Sequence, residues 1–238
     1  MIDTLSSVLL APILVIQGRY VRRVTPRLPE ARGARSGVFG AGPKVKLLMI
    51  GDSATAGVGV RRQEQALSGR LVSSLGSTHE VTWKMIARAG YASADVLDWL
   101  KSSPAEGFDF VLVSLGVNDA TARTKSKEWA NNLLGIIALL KAKFCARKIL
   151  FSSVPPMHRF LALPQPLRWW LGARAKKLNS MIKAIVRTDH ACLLIPLTFP
   201  VDQVYLAKDG FHPGEKAYAF WGAQVARTIR SELDAAKG

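Results

Sequence analysis

From position 44 onward the chain alternates between short, nearly continuous apolar runs and longer stretches in which apolar residues recur every three or four positions. The runs are VKLLMI (45–50), VTWKMIA (81–87), FDFVLVSL (108–115), KILFSSV (148–154) and ACLLIP (191–196). Each is strand-sized and partly β-branched, and a run apolar at successive positions fits a strand covered on both faces. Helical spacing fills the intervals at 63–75, 93–101, 126–143, 167–186 and 215–233. Strands alternating with helices predict an α/β fold with three α/β/α layers built on a five-stranded parallel sheet. In such sheets ligands bind beyond the carboxyl ends of the strands, so the loops that follow the runs carry the candidate chemistry.

Upstream lies SSVLLAPILVIQGRYVRR, whose apolar run at 8–16 contains Pro12 and is followed by Arg19, Arg22 and Arg23. It is shorter than the ~20 apolar residues that span a bilayer. It also reverses the charge order of a secretory signal, since Asp3 precedes it and arginines follow. Two readings stay open: residues 1–24 as a peripheral membrane contact with basic side chains on the headgroups, or an arm packed on the domain. The next stretch, TPRLPEARGARSGVFGAGPK, is rich in Pro, Gly and Arg and reads as a linker. The expected organisation is an apolar and basic N-terminal segment with linker at 1–44 and one domain at 45–238.

Composition adds two constraints. Of 238 residues, 49% are hydrophobic and 21% charged, as in a folded domain. The two cysteines, Cys145 and Cys192, stand apart from any CxxC or Cys/His cluster, so they predict buried thiols in a reducing compartment rather than a metal site or a disulfide. The formal charge is +16, and 129–188 contains no Asp or Glu while carrying basic residues from Lys141 to Arg187. Such a stretch is either a solvated face or an attractor of nucleic acid, an anionic membrane or an acidic substrate. No nucleic-acid-binding motif accompanies it, which makes nucleic acid the weaker partner. The expected setting is cytoplasmic, with the inner face of the membrane as the site of any peripheral contact.

The loops after the runs read GDSATAGVG, RAGYASAD, GVNDAT and DGFHPGEKAY. A serine hydroxyl is a poor nucleophile at neutral pH and needs a base, which in turn needs a partner to fix its tautomer. Ser53 is the candidate nucleophile, His212 the base and Asp209 its orienting carboxylate. The tetrahedral intermediate also needs donors, and Ser53 N–H at a helix start, Gly90 N–H and the Asn118 amide are candidates. Residue by residue, plainer roles remain: Ser53 and His212 as helix caps, Asn118 in an Asx turn, Gly90 in a left-handed turn.

Taken together, the four blocks resemble the SGNH hydrolases, also called the GDSL esterase and lipase family. The family's blocks correspond to Gly51, Asp52 and Ser53, then Gly90, then Gly116 to Asp119, and finally Asp209 to His212. The resemblance implies a flavodoxin-like sheet, a Ser53, His212 and Asp209 triad, and an oxyanion hole from Ser53, Gly90 and Asn118, with no metal or organic cofactor. Ala54 departs from the family's leucine, which bears on pocket shape rather than chemistry. No G-x-S-x-G elbow is present. Asp52 is expected to support the turn through hydrogen bonds.

His79 and His190 precede strands, at the wrong end of the sheet for a base, whereas His158 follows the fourth run. The segment PPMHRFLALPQPLRWWLG (155–172) is long, apolar and aromatic, and reads as an acyl-binding wall or lid, some of whose residues could instead begin the next helix's core face. His158, Phe160 and Trp169 are its candidate substrate contacts. The expected function is a carboxylic ester hydrolase acting through an acyl-enzyme on acyl or lipid-like esters, of lysophospholipase or esterase type. The alternatives are an O-acetyl carbohydrate esterase and a non-catalytic basic protein that binds membrane or nucleic acid.

Overall fold

All five apolar runs become strands of one sheet in a computed structural model that describes residues 9–197 and 204–236. The strands are β1 (Ser36–Phe39), β2 (Lys44–Gly51), β3 (Glu80–Ala87), β4 (Phe110–Ser114), β5 (Lys148–Ser152) and β6 (Cys192–Ile195). Among the described residues the helices are α1 (Ala11–Val24), α2 (Leu67–Leu75), α3 (Ser93–Ser102), α4 (Val117–Ala122), α5 (Ser126–Ala142), α6 (Leu167–Thr188) and α7 (Glu215–Ala235).

The sheet order is β1-β3-β2-β4-β5-β6, parallel throughout except for β1. Successive β2 side chains serve opposite layers, as the two-residue period of a strand requires. Leu47 and Met49 pack with α2 and α7, whereas Leu48 and Ile50 pack with α3, α5 and α6. Each such side chain, fully removed from water, contributes roughly 1.5–3 kcal/mol. The chain passes from β2 outward to β3 on one side and to β4 on the other, so the order reverses at β2. That reversal opens a crevice at the carboxyl end of β2, from which Ser53 emerges.

The sheet has six strands, not the five expected. The additional strand β1 comes from the stretch that reads as linker and pairs antiparallel with β3, Ser36 opposite Lys84 and Phe39 opposite Val81. All four of its positions are exposed, so it has no apolar alternation to betray it. The helix expected at 63–75 starts at Leu67, after a short 3-10 turn at Gln63–Gln65. Cys145 is exposed rather than buried, in the turn after α5 with φ 48°, while Cys192 is a buried free thiol. The acid-free stretch is partly neutralised from outside, since Lys141 pairs with Asp189 and Lys148 with Glu232.

Residues 9–24 of the N-terminal segment adopt the packed-arm reading. Leu14 is buried in the same core as α6, and the Gln17 side chain both donates to the Gln165 carbonyl (2.6 Å) and accepts from Leu167 N–H (3.0 Å). Residues 1–8, part of the expected membrane contact, lie outside the described residues. Among the described residues no helix is long and apolar enough to cross a membrane.

Candidate active site

β2 ends at Gly51, where a Cβ would come within 2.1 Å of Thr55 Oγ1 and 2.6 Å of the Ser114 carbonyl, so the turn into Ser53 requires glycine. Asp52 closes that turn as expected: its Oδ1 accepts Ala54 N–H (3.0 Å) and its carbonyl accepts Ala56 N–H (2.9 Å). From α7 the Tyr218 hydroxyl lies 2.9 Å from the Ala54 carbonyl and 2.7 Å from that of Val58. Ser53 therefore sits in a braced turn, not at a helix start, since α2 begins only at Leu67. Burial pushes the Asp52 carboxyl up to about 6 against the Ala54 hydrogen bond and the opposing effect of His212, with Asp119 reinforcing the rise.

The loop bearing Asp209 and His212 is closed by Ala207 N–H to the His212 carbonyl (2.8 Å) and Gly214 N–H to the Tyr205 carbonyl (2.7 Å). Within it, Asp209 Oδ1 accepts the backbone N–H groups of Phe211 and His212, each at 3.0 Å. Its Oδ2 lies 2.5 Å from His212 Nδ1, and His212 Nε2 lies 2.9 Å from Ser53 Oγ. Burial works to raise Asp209, but the His212 hydrogen bond and the backbone donors outweigh it and hold the carboxyl below the usual range. A carboxylate at Nδ1 places the imidazole proton there and leaves Nε2 to accept from the serine. The three side chains thus form one hydrogen-bonded line.

Beside that line, Ser53 N–H and Gly90 N–H meet no acceptor among the described residues. Gly90 has φ 92°, with open space where a side chain would be. Asn118 Nδ2 donates one proton to the Tyr91 carbonyl (2.8 Å), which leaves its second for a ligand. A network built on Asp119, whose partners Ser93 and Asn132 carried no sequence signal, fixes these segments together. Ser93 gives its N–H (3.1 Å) and Oγ–H (2.6 Å) to the buried Asp119 carboxylate, and Asn132 donates to Ser93 Oγ (2.9 Å). Asp119 is lifted by burial, against the Ser93 hydrogen bonds. The network ties α4, with Asn118, to the start of α3, just after the turn that carries Gly90.

A cavity of about 900 Å³ opens over Ser53 and is walled largely by apolar side chains, including Val117, Met157, Phe160, Leu163, Trp170 and Phe211. Phe160 lines the cavity, edge-on to Phe211 with centroids 6.0 Å apart. His158 and Trp169 lie outside the lining. The inner face of α6 takes Leu167, Trp170 and Leu171, at helical spacing, which turns Trp169 outward. His158 is exposed in the 3-10 turn Met157–Arg159, its backbone packed on Gly172. Trp170 lines the cavity in place of Trp169, with the guanidinium groups of Arg123 (5.5 Å) and Arg174 (5.1 Å) over its ring. A further wall comes from α1, through Leu14, Val15, Gly18 and Val21. Among the described residues no cluster of three His, Cys, Asp or Glu could hold a metal ion.

A family model described as the GDSL-like lipase/acylhydrolase family matches residues 49–220, which contain the four loops. A lipase/acylhydrolase from Enterococcus faecalis is structurally similar, with TM-score 0.61 at 21% identity over 79% of this chain and 96% of that one. A psychrotrophic esterase from Pseudoalteromonas sp. gives TM-score 0.58 at 19% identity over 79% and 98% of the two chains. A carbohydrate acetylesterase from Sinorhizobium meliloti gives 0.58 at 18% identity over 79% and 99%. No curated protein sequence matches the chain. At such identities the structural likeness establishes the fold, and the family match covers most of the chain.

Proposed function

We propose, from the premise that this chain belongs to the GDSL-like lipase/acylhydrolase family and is a serine ester hydrolase, that it cleaves carboxylic esters of apolar acyl groups through an acyl-enzyme on Ser53. The observation that carries the reading is the line from Asp209 through His212 to Ser53 Oγ, ending in an apolar cavity. His212 Nε2 takes the serine proton as Oγ attacks the ester carbonyl, and the buried Asp209 carboxylate stabilises the imidazolium. The oxyanion receives Ser53 N–H, Gly90 N–H and the unengaged Asn118 amide proton. His212 then hands its proton to the leaving alkoxide, and a water activated by the same nitrogen releases the acid.

An acyl group of some length is favoured over acetyl because the cavity lies at the upper end of the ~300–1,000 Å³ usual for small-molecule sites. An acetyl ester of a sugar would leave most of the wall formed by Phe160, Leu163, Trp170 and α1 unfilled. A p-nitrophenyl ester series tests both parts. We expect kcat/KM to rise about fourfold per methylene while the cavity has room, and activity to vanish in Ser53→Ala and His212→Ala. Full activity in Ser53→Ala refutes the nucleophile, and an optimum at acetyl transfers the substrate to the carbohydrate-ester class.

A further inference from the structure

Helix α1 has two apolar faces, and only one is used by the domain. Leu14, Val15, Gly18 and Val21 wall the cavity. On the opposite side Leu9 (71% exposed), Ile13, Ile16 (65%), Tyr20 (60%) and Val24 form an uninterrupted exposed row continuing from Leu9 into the helix. Their spacing of four, three, four and four confines them to an arc of about 80° at 100° per residue. Arg19 and Arg23 border this row, and Arg22 and Arg27 stand at the cavity's lining. None of these four arginines forms an ion pair among the described residues. Gln17 links α1 to the segment that carries two more exposed apolar side chains, Leu161 (80%) and Trp169.

A contiguous apolar row on an exposed helix is costly in water unless something covers it. A row bordered by cations, on a chain of formal charge +16, complements a surface that is apolar beneath and anionic on top. We propose that α1 docks this protein on an anionic phospholipid bilayer, the row Leu9, Ile13, Ile16, Tyr20 and Val24 entering the headgroup boundary while the arginines meet lipid phosphates. Because the other face of the same helix is cavity wall, docking brings the cavity beside the bilayer, and the substrate class becomes a membrane-resident acyl ester. That last step rests on the ester-hydrolase reading; the docking does not.

The test is flotation of the full chain with vesicles of phosphatidylcholine mixed with phosphatidylglycerol, and with phosphatidylcholine alone. Wild type and Ser53→Ala are expected to float equally with the anionic vesicles and weakly with the neutral ones. Ile13→Glu/Ile16→Glu should weaken partitioning ~100-fold, about tenfold for each apolar side chain lost from the interface. Arg19→Gln/Arg23→Gln should weaken it ~25-fold, about fivefold per charge, and flatten its salt dependence. Thermal midpoint and hydrolysis of a water-soluble short ester should be unchanged in both. Failure of the wild type to float, or equal flotation of the Ile13→Glu/Ile16→Glu variant, overturns the proposal. So does a wild-type dimer that this variant dissolves without any vesicle binding, which assigns the row to a second copy. Flotation as expected with no ester hydrolysed by any form leaves docking standing and removes the ester reading instead.

Discussion

Asp209→Asn separates charge and orientation from shape at a single position. Asp209 Oδ1 accepts two backbone N–H groups at 3.0 Å, from Phe211 and His212, and Oδ2 accepts the His212 Nδ1 proton at 2.5 Å. Asparagine has only one oxygen to offer. If it faces the backbone, its NH2 faces Nδ1, the imidazole must accept there, and its proton moves to Nε2. His212 then donates toward Ser53 Oγ and no longer acts as its base. The opposite orientation sets NH2 against two N–H groups and strands both, at about 1–3 kcal/mol each, to keep one histidine bond worth about 1 kcal/mol. The first orientation wins, so the variant folds with the wrong tautomer. We expect kcat to fall ~10⁴-fold, the loss associated with this exchange in a Ser-His-Asp triad on another fold, equivalent to about 5.5 kcal/mol of barrier. KM should change little, because the Asp209 side chain is only 1% exposed and is turned to His212. Steady-state hydrolysis of p-nitrophenyl butyrate, with thermal midpoints as the check on folding, measures it. A folded Asp209→Asn enzyme that loses less than ~30-fold refutes the tautomer argument.

Asn118→Ala removes one donor of the proposed oxyanion hole and is expected to lower kcat ~100-fold to 1,000-fold at nearly constant KM in the same assay. Asp52→Asn should stabilise the fold at neutral pH. Its carboxyl is raised from 3.8 to about 6, so the folded state holds that proton more tightly; the resulting stability is present below 3.8 and lost as pH rises through about 6, a span equivalent to roughly 3 kcal/mol. Because asparagine keeps an acceptor for Ala54 N–H, urea titrations should show the variant ahead of wild type at pH 7 and the gap closing below pH 4. Gly222→Ala places a Cβ 2.8 Å from Arg70 Cβ and from Leu71 N, where α7 crosses α2, and should lower stability by about 1–3 kcal/mol in urea without changing kcat.

How much of this was legible in the sequence follows from where each signal resides. β2, β4, β5 and β6 are apolar at nearly successive positions, β3 is apolar at most of its positions, and the long helices carry a clear three-to-four spacing, so all show locally. β1 is held by backbone pairing to β3 and exposes every side chain, so its evidence lies in another strand. The candidates for the hydrogen-bonded line were legible because Ser53, Asp209 and His212 are chemically distinctive and fall after strands. Ser93 and Asn132 were not, since a serine at a helix start and an asparagine within a helix become a brace for Asp119 only when α3 and α5 meet. The neighbours Trp169 and Trp170 could not be told apart without the phase of α6, which depends on its starting at Leu167. α1 was ambiguous for a physical reason, because it is apolar on both sides and the two readings describe its two faces.

Ser53 and His212 stand 159 positions apart, and the turn that presents the serine is braced from the far end of the chain by Tyr218. This separation gives the protein a temporal order. During synthesis β2 and the proposed nucleophile emerge long before the proposed base, so a growing chain carries a serine with no base to activate it. The packing of α7 against α2, with Tyr218 beneath Ala54 and Val58, completes the brace, and the loop just before α7 carries the proposed proton acceptor. Under the proposed mechanism, ester hydrolysis therefore requires both segments to be in place together.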